Sequence, residues 1–349
     1  MQYKLLGNSG LRVSEISLGT MTFGTKWGWG ADKETSKQIL NQYTEAGGNF
    51  IDTSCNYTDG ESESFIGEFI KGDRDRYVIA TKFTLHDYRY KKDPNAAGNH
   101  RKNLIRSLKG SLERLQTDYV DILYLHMWDY MTPVQEIMRT LNDLIATTKV
   151  NYIGISDTPA WIVSRANTMA EIRGWNPFVV YQFPYSLAFR DAEREVIPLC
   201  KKMDLAMATF DVLGAGLLTG KYTRQESPYG RLQPGKWGTP PDIALEIARE
   251  VDAIADELEC PSSHVAIAWI RGQEGLFTPI LGTTKVQQIE ENLNGLDVKL
   301  TDDYYQRLEE KVREKLRFNF GFAKGWLMGA RSVLYGETYD LIDNHRKYE

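Results

Sequence analysis

The chain has 349 residues, of which 42% are hydrophobic and 26% charged, a balance typical of a globular protein with a large buried core. The formal net charge of −5 argues against nucleic-acid binding, which normally requires a basic face. The 3 cysteines lie far apart without metal-ligand spacing, and no apolar run reaches membrane-spanning length. Because the first residues lack an apolar leader, we predict a cytoplasmic protein with no membrane partner.

Short apolar runs alternate with helix-length stretches along the chain. The first residues predict a β-hairpin that turns at residues 8–10 and closes the floor of the fold. Eight apolar runs follow, at residues 15–21, 49–54, 77–83, 121–128, 152–157, 178–183, 205–212 and 277–283. Most of the stretches between them, such as "PVQEIMRTLNDLIATTK", have apolar residues at three- and four-residue spacing, which predicts amphipathic helices.

Eight buried strands, each followed by a helix, are typical of a parallel α/β sheet closed into a (β/α)8 TIM barrel. A doubly wound sheet would favour a G-x-G-x-x-G motif after the first strand, and none opens a helix there. A loop at residues 222–242 and a further helix after about residue 300 fall outside the eight units. We predict one domain over residues 1–349, with the barrel core at about 12–312 and a C-terminal tail at 313–349.

Polar residues end three consecutive predicted strands. Asp52 ends the second, Lys82 the third and His126 the fourth, and Tyr57 lies on the loop after Asp52. Since the carboxyl ends of barrel strands share one mouth, these side chains are expected to meet there. Each residue alone has a structural explanation, such as a helix cap for Asp52 or a core contact for His126. Three adjacent strand ends make those explanations poor for the whole set.

This set fits proton donation to a carbonyl oxygen while a hydride reaches the carbonyl carbon. A free tyrosine has a pKa of roughly 10, and a nearby lysine cation favours the phenolate. We therefore expect Tyr57 to act as a general acid whose pKa is lowered by Lys82. Asp52 would hold the lysine in place, and a neutral His126 would orient the substrate carbonyl.

In their order and spacing, "FIDTSCNY", "IATKF" and "LYLHMW" resemble the Asp–Tyr–Lys–His tetrad of the aldo-keto reductase family. The resemblance extends over about residues 1–312 and includes "LGNSGLRVSEISLGTMTFG", "LGAGLLTGKY" and "ILGTTKVQQIEENL". It is strongest to the branch of voltage-gated potassium-channel β-subunits and bacterial general reductases. It implies a nicotinamide cofactor and reversible reduction of an aldehyde or ketone to an alcohol.

The resemblance also implies where that cofactor binds. Ser156 and Gln182 match residues that hold the nicotinamide carboxamide, Phe210 matches a ring that stacks on the nicotinamide, and Leu213 and its neighbours lie along the pyrophosphate. The implied contacts are Gly19, Thr20, Met21, Asp52, Ser156, Asp157, Gln182, Phe210, Asp211, Val212, Leu213, Gly214, Gly216, Lys221, Arg231, Gly282, Thr283, Thr284, Lys285, Gln288, Glu291 and Asn292. Lys221 and Arg231 match basic residues of the loop that covers the pyrophosphate. The residues that match the adenosine end are Gly282, Thr283, Lys285, Gln288, Glu291 and Asn292. Lys285 beside two threonines suits a 2′-phosphate, which predicts NADP(H) over NAD(H).

Two residues depart from the family pattern. Asp157 stands where the family usually has asparagine, and Asp211 stands where it usually has a small hydroxyl. A carboxylate at position 211 should repel phosphate unless it turns away or pairs with a cation such as Arg231.

Aromatic residues near the mouth predict a pocket for a flat or hydrophobic carbonyl compound, although loop packing explains them about equally well. The predicted substrate contacts are Trp27, Trp29, Tyr57, His126 and Trp128, with Tyr130 and the tail residues Phe320 and Trp326 as further candidates. The 5 histidines show no ligand spacing, so no metal site is predicted.

Other functions remain open on the sequence alone. A cofactor-sensing regulatory or binding subunit would use the same tetrad as a reductase. A lyase with Lys82 as a Schiff-base nucleophile would need a depressed lysine pKa, which Asp52 opposes. The sequence leaves the oligomeric state open, including a homo-oligomer.

Overall fold

A computed structural model of the protein describes residues 1–86, 89, 92–224, 232, 240–313, 336, 338 and 341. Most of the predicted loop at 222–242, including Arg231, lies outside the described residues, as do Phe320 and Trp326 of the predicted tail. In the described part of the chain, no helix is both long enough and apolar enough to cross a membrane.

The strands form a small hairpin and a closed barrel. The strands are β1 (Tyr3–Leu5), β2 (Arg12–Ser14), β3 (Ser17–Gly19), β4 (Phe50–Asp52), β5 (Val78–Phe83), β6 (Val120–Leu125), β7 (Val150–Ser156), β8 (Phe178–Pro184), β9 (Ala206–Phe210) and β10 (Phe277–Gly282). Strands β3 to β10 pair in parallel in chain order, and β10 closes the barrel against β3. The predicted (β/α)8 barrel and its N-terminal hairpin are confirmed.

Helices cover the outside of the barrel. They are α1 (Lys33–Glu45), α2 (Glu61–Phe69), α3 (Arg101–Leu115), α4 (Val134–Ala146), α5 (Ala160–Arg173), α6 (Val196–Lys202), α7 (Asp242–Glu257), α8 (Ser262–Arg271), α9 (Val286–Asn294) and α10 (Asp302–Arg313). Their ends follow local chemistry: the Asp32 carboxylate caps α1 by accepting from the Thr35 N–H at 2.8 Å, and α5 ends where Gly174 takes a positive φ of 64°.

Two layers of apolar side chains hold the barrel. An outer layer lies between strands and helices and includes fully buried Ile39, Leu104 and Leu141. An inner layer fills the barrel, and Leu6 and Val13 of the hairpin region are fully buried against it. Complete burial of one such aliphatic side chain contributes about 1.5–3 kcal/mol, so the two layers together provide most of the driving force for folding.

The inner layer determines which residues reach the barrel mouth. Successive side chains of a strand alternate between its faces, so the residue two positions beyond an interior side chain also points inward. The interior residues nearest the mouth are Phe50, Ala80, Tyr124, Val180 and Ala208. The residues two positions further along the chain are Asp52, Lys82, His126, Gln182 and Phe210. The barrel alternation therefore brings four polar residues and one aromatic ring, that of Phe210, to one opening.

Candidate active site

Lys82 lies at the centre of the polar cluster at the mouth. Its Nζ is 2.6 Å from Asp52 Oδ2, 2.8 Å from the Thr53 carbonyl oxygen and 3.1 Å from Tyr57 Oη. The lysine side chain is fully buried. A lysine ammonium has three N–H donors, and these three acceptors satisfy all of them. The charge is therefore held in one position beside the phenol.

Asp52 has a second partner across the barrel. Its Oδ1 accepts a hydrogen bond from Gln182 Nε2 at 2.8 Å, while its Oδ2 accepts from Lys82. The bond joins β4 to β8, two strands that are not neighbours in the barrel. Because the Gln182 amide nitrogen donates to Asp52, the amide oxygen of Gln182 is the atom left to accept from a ligand.

A strained turn places the phenol of Tyr57. The residue begins the 3₁₀ turn Tyr57–Gly60, in which Thr58 and Asp59 have positive φ values of 46° and 55°. Two consecutive left-handed residues that are not glycine cost about 1–2 kcal/mol each, so other contacts must hold them. Thr58 Oγ1 donates to the Phe23 carbonyl at 2.5 Å, and Trp27 Nε1 donates to Asp59 Oδ1 at 3.1 Å.

The predicted lowering of the Tyr57 pKa is wrong as a net effect. Burial of the phenol raises the pKa of Tyr57 to about 12, and this outweighs the lowering by the Lys82 charge. Asp52 and Asp157 also raise it by repelling a phenolate. The Lys82 charge lowers the pKa of Tyr57, as expected. Removal of the phenolate from water raises that pKa by more than one ammonium group lowers it. Tyr57 therefore carries its proton at neutral pH.

Lys82 and His126 have opposite charge states. Burial lowers the Lys82 pKa, but Asp52 and Tyr57 outweigh it and the pKa is raised overall, so the ammonium stays charged. Burial, assisted by the Lys82 charge, holds the pKa of His126 well below its usual range, so the imidazole is neutral. The His126 ring packs edge-on to Tyr57 at 6.0 Å between centroids, and its Nδ1 is 3.2 Å from Ser54 Oγ.

Polar atoms without partners line the mouth beside this cluster. Ser156 Oγ, Asp157 Oδ1 and Thr283 Oγ1 are buried and have no hydrogen-bond partner among the described residues. A buried polar atom left unsatisfied costs about 1–3 kcal/mol, which a ligand can recover. Ser156 is paired in register with Gln182. A carboxamide has two N–H donors and one acceptor oxygen, so Ser156, Asp157 and Gln182 fit the nicotinamide end of the implied cofactor.

The glycine loop after β9 has the backbone expected of a phosphate site. Gly214 and Gly216 have positive φ values of 56° and 93° within the 3₁₀ turn Gly214–Thr219. Phe210 is half-buried at the end of β9, Val212 is buried and Leu213 is half-buried. Lys221 is exposed just beyond the turn. Gly214 and Gly216 thus lie in one turn, and Lys221 follows it closely along the chain.

The structure explains why Asp211 is tolerated beside this loop. Its Oδ1 accepts a hydrogen bond from the Ala215 N–H at 2.6 Å, so the carboxylate holds the glycine turn together. Asp211 itself has a positive φ of 57°, a conformation that aspartate adopts more readily than most residues. The predicted partner Arg231 lies outside the described residues.

We expect Asp211→Ala to lower the free energy of unfolding by about 1–2 kcal/mol, because the Ala215 N–H loses its acceptor. Asp211→Asn is the matched control, since asparagine keeps an acceptor oxygen and tolerates the same φ. It should stay within about 0.5 kcal/mol of the original protein in urea unfolding. Equal stability of the alanine variant would show that the turn does not depend on this bond.

The residues predicted for the adenosine end surround the start of α9. Gly282 pairs with Gly19 where β10 meets β3. Gln288 Oε1 accepts from the backbone N–H groups of Thr284 and Lys285, at 3.0 and 3.2 Å, and so caps the helix. The Lys285 side chain is exposed.

Several other residues implied as cofactor contacts are buried or bonded within the protein. Glu291 accepts from Ser263 Oγ at 2.6 Å and Asn292 is buried. Thr20 is buried, with its Oγ1 bonded to the Asp52 carbonyl oxygen, and Met21 is half-buried. Thr283 accepts through its carbonyl oxygen from Thr22 Oγ1 at 2.5 Å.

The aromatic residues predicted to line the substrate pocket divide into two pairs. Trp27 and Trp29 lie 6.0 Å apart between ring centroids, and Trp29 is 41% exposed. Trp128 is almost completely buried against the edge of Tyr130, at 6.5 Å. The first pair offers an accessible aromatic surface, whereas Trp128 mainly packs the loop after β6.

Two residues of this site were missed from the sequence. Ser54 contacts His126, and Tyr124 lies inside the barrel with a buried Oη that has no partner among the described residues. The signal for Tyr124 was the two-residue alternation of β6, since it stands two positions before His126 and shares its face. Ser54 gave no comparable signal, because it lies in a loop. No group of 3 or more potential metal ligands occurs in the described part of the chain.

Comparisons with known proteins agree with this geometry. The sequence model of the protein family described as "Aldo/keto reductase family" matches residues 15–313 of this chain. The chain is 36% identical over 339 residues to norsolorinic acid reductase of Aspergillus flavus. The aligned region covers 95% of this chain and 85% of that protein. It is 38% identical over 341 residues to aryl-alcohol dehydrogenase [NADP(+)] of Phanerodontia chrysosporium, with 91% of this chain and 86% of that protein covered. A putative aryl-alcohol dehydrogenase of Saccharomyces cerevisiae is also 38% identical, over 333 residues that cover 90% of this chain and 86% of that protein.

Proposed function

The chain belongs to the aldo/keto reductase family, and from this membership we propose that it is an NADP(H)-dependent oxidoreductase that reduces aromatic aldehydes or ketones to alcohols, reversibly. The observation that carries the proposal is the buried series of contacts from Asp52 through Lys82 to the Tyr57 hydroxyl. A charged lysine beside a protonated phenol at a barrel mouth suits proton donation to a carbonyl oxygen.

In the proposed mechanism, Tyr57 donates the proton. Its hydroxyl holds a proton at neutral pH and gives it to the carbonyl oxygen of the substrate, which leaves a phenolate beside Lys82. The ammonium stabilises that phenolate, and solvent later returns the proton. The bound nicotinamide supplies the hydride that reaches the carbonyl carbon. The neutral imidazole of His126 positions the carbonyl oxygen without competing for the negative charge.

Asp52 and Gln182 act on the lysine rather than on the substrate. Asp52 keeps the buried Lys82 charged, and Gln182 holds the carboxylate from the opposite side of the barrel. This arrangement disfavours the Schiff-base alternative, because a nucleophilic lysine must lose its proton and the pKa of Lys82 is raised.

Two observations support an aromatic substrate. Trp27 and Trp29 offer stacking surface at the mouth. The similar proteins carry names that refer to norsolorinic acid and to aryl alcohols. A cytoplasmic location and a single domain over the whole chain stay predictions from the sequence, and the oligomeric state stays open.

A panel of aromatic and aliphatic carbonyl compounds, each scored with NADPH and NADH, tests the proposal. We expect oxidation of NADPH with aromatic aldehydes or ketones, formation of the alcohol, and the reverse reaction with aryl alcohols and NADP⁺. Tight NADPH binding without turnover of any carbonyl compound would instead support a cofactor-sensing subunit.

The preference for the 2′-phosphate is expected to depend on Lys285. We expect Lys285→Ala to weaken NADPH binding about tenfold or more and to leave NADH binding unchanged, because a charge-assisted hydrogen bond contributes about 1.5–3 kcal/mol. Lys221→Ala is the matched control, since a lysine near the pyrophosphate should affect both cofactors equally. Fluorescence titration of the two variants with both cofactors measures these affinities. Equal losses for NADPH and NADH in the Lys285 variant would contradict the assignment.

A further inference from the structure

We propose that Asp157 binds the nicotinamide carboxamide as a neutral carboxylic acid, with its O–H donating to the carboxamide oxygen. The inference rests on the proposed function, since it concerns the same cofactor. It adds a proton requirement to cofactor binding that the asparagine usual at this position in the family would not have.

The backbone around Asp157 is held from both sides. Its N–H donates to the Gln182 carbonyl oxygen at 3.3 Å, and its own carbonyl oxygen accepts from the Trp128 N–H at 3.2 Å. Its φ of 38° is in the left-handed region, which is costly for most residues. The loop after β6 and strand β8 thus fix the residue directly after the end of β7, beside the unpartnered Ser156 hydroxyl.

One carboxyl oxygen of the Asp157 side chain lacks a hydrogen-bond partner in the described part of the chain. Asp157 Oδ1 is buried and has no hydrogen-bond partner among the described residues. The residue follows Ser156, which pairs in register with Gln182, and its own N–H bonds to the Gln182 carbonyl oxygen, so Asp157 lies beside the residues expected to hold the carboxamide. A buried acceptor without a donor costs about 1–3 kcal/mol unless it is protonated or meets a ligand.

Hydrogen-bond accounting favours the protonated form. A carboxamide offers two N–H donors and one carbonyl oxygen. Because the Gln182 side-chain nitrogen donates to Asp52, the Gln182 amide oxygen is the atom left to accept from a ligand. Gln182 can therefore accept one carboxamide N–H, while the carboxamide oxygen requires donors. Ser156 can supply one donor. An asparagine at position 157 would supply another through its NH₂ group, and aspartate can do so only when it carries a proton.

Burial opposes the ionisation of Asp157, and the one nearby charge does not compensate for it. Lys82 of β5 is the cation that lowers its pKa, but that ammonium is bound to Asp52 of β4. Asp157 also interacts with the phenols of Tyr57, after β4, and Tyr181 of β8, which are neutral at pH 7 because burial raises their pKa. The nearby His126, after β6, is neutral as well, since burial holds its pKa well below its usual range. Burial outweighs the attraction of Lys82 and raises the pKa of Asp157 to about 8.

An ionised Asp157 would make a poorer site. It could accept from a carboxamide N–H, but it would then be a second buried carboxylate in a cluster whose one ammonium is already paired. It would also leave the carboxamide oxygen with Ser156 as its donor. The cofactor should therefore bind the protonated form of Asp157. At pH values near and above the Asp157 pKa of about 8, binding should be accompanied by uptake of a proton by this residue.

The expected pH dependence has a definite sign. The NADPH dissociation constant should stay level below about pH 7 and rise about tenfold between about pH 7 and 9, as Asp157 loses its proton. Tyr57, with a pKa raised to about 12, and His126, with a pKa held well below its usual range, do not change charge in this interval. The 2′-phosphate of NADPH titrates near pH 6, below the interval.

Fluorescence titration of the full chain with NADPH, from about pH 6.5 to 9.5, tests the inference together with the variants Asp157→Asn and Ser156→Ala. The original protein should show the tenfold rise. Asp157→Asn should bind NADPH with similar affinity at pH 7 and show no rise. Ser156→Ala should bind more weakly at every pH but keep the rise. Calorimetry in buffers of different ionisation enthalpy should show proton uptake near pH 8 in the original protein and none in Asp157→Asn.

A flat profile in the original protein, or an unchanged rise in Asp157→Asn, would overturn the inference and leave the proposed function intact. Failure of NADPH to bind at every pH would overturn both. Because the profile of the original protein is itself decisive, the test does not depend on the folding of a variant.

Discussion

Changing Tyr57 to phenylalanine is expected to lower kcat by at least about 10³-fold and to leave NADPH affinity within about twofold. General acid catalysis contributes typically 10²–10⁴-fold, and here the donor also carries the only hydroxyl bonded to the Lys82 ammonium among the described residues. Phenylalanine keeps the ring that packs edge-on against His126, so the shape of the pocket should be conserved. Steady-state kinetics with an aromatic aldehyde and NADPH, alongside a fluorescence titration of the cofactor, separates the two effects.

Tyr124→Phe is the matched control for this experiment. Tyr124 is also fully buried in the barrel, and Lys82 Nζ is 5.9 Å from its ring centroid. Its Oη has no hydrogen-bond partner among the described residues, so its removal should leave kcat within a few-fold of the original protein. If Tyr57→Phe turned over the substrate as well as Tyr124→Phe does, Tyr57 would not be the proton donor.

Changing Lys82 to methionine is expected to lower the free energy of unfolding by about 3–5 kcal/mol and to abolish turnover. Removal of one member of a buried ion pair leaves the other charge without compensation, and both Lys82 and Asp52 are almost completely inaccessible to solvent. The Thr53 carbonyl and the Tyr57 hydroxyl also lose a donor. Urea unfolding monitored by circular dichroism gives the stability, and steady-state kinetics the turnover.

Two controls distinguish the effect of breaking the buried ion pair from the effect of replacing a lysine side chain by methionine. Lys201→Met breaks the exposed pair between Lys201 and Glu274, whose N–O distance of 2.7 Å is close to the 2.6 Å of the buried pair, and should cost less than about 1 kcal/mol. The double change Lys82→Met with Asp52→Asn removes both charges and should recover part of the lost stability without recovering turnover. A Lys82→Met protein as stable as the Lys201→Met protein would contradict the role of the buried pair.

Most of the fold could be predicted from the order of apolar runs. Each barrel strand lies within or close to one of the eight predicted runs, because strands covered on both faces must be nearly continuous in apolar residues. The parallel order then follows from the helices between them. Strand ends were less certain, since β5 continues one residue past Lys82 to Phe83 and β6 ends at Leu125, before His126.

The membership of the catalytic cluster could also be predicted, whereas its electrostatics could not. Asp52, Lys82 and His126 were recognisable because each lies near the end of a predicted apolar run, within one residue of a strand end, and the carboxyl ends of parallel strands meet at one mouth. The net pKa of Tyr57 was predicted in the wrong direction, because it depends on how completely packing removes the phenol from water. Sequence spacing indicates which charges are close together, but it does not measure desolvation.

The sequence by itself determined the barrel, the family and the residue types available at its mouth. Only the tertiary structure decided how those residues pair: Gln182 reaches Asp52 from a strand on the other side of the barrel, and Asp211 bonds to the turn that it was expected to disturb. It also left the Oδ1 atom of Asp157 buried and without a hydrogen-bond partner among the described residues. The physical reason is that apolar periodicity is a local property of the chain. Hydrogen-bond pairing and burial of charge depend instead on side chains that are distant in sequence.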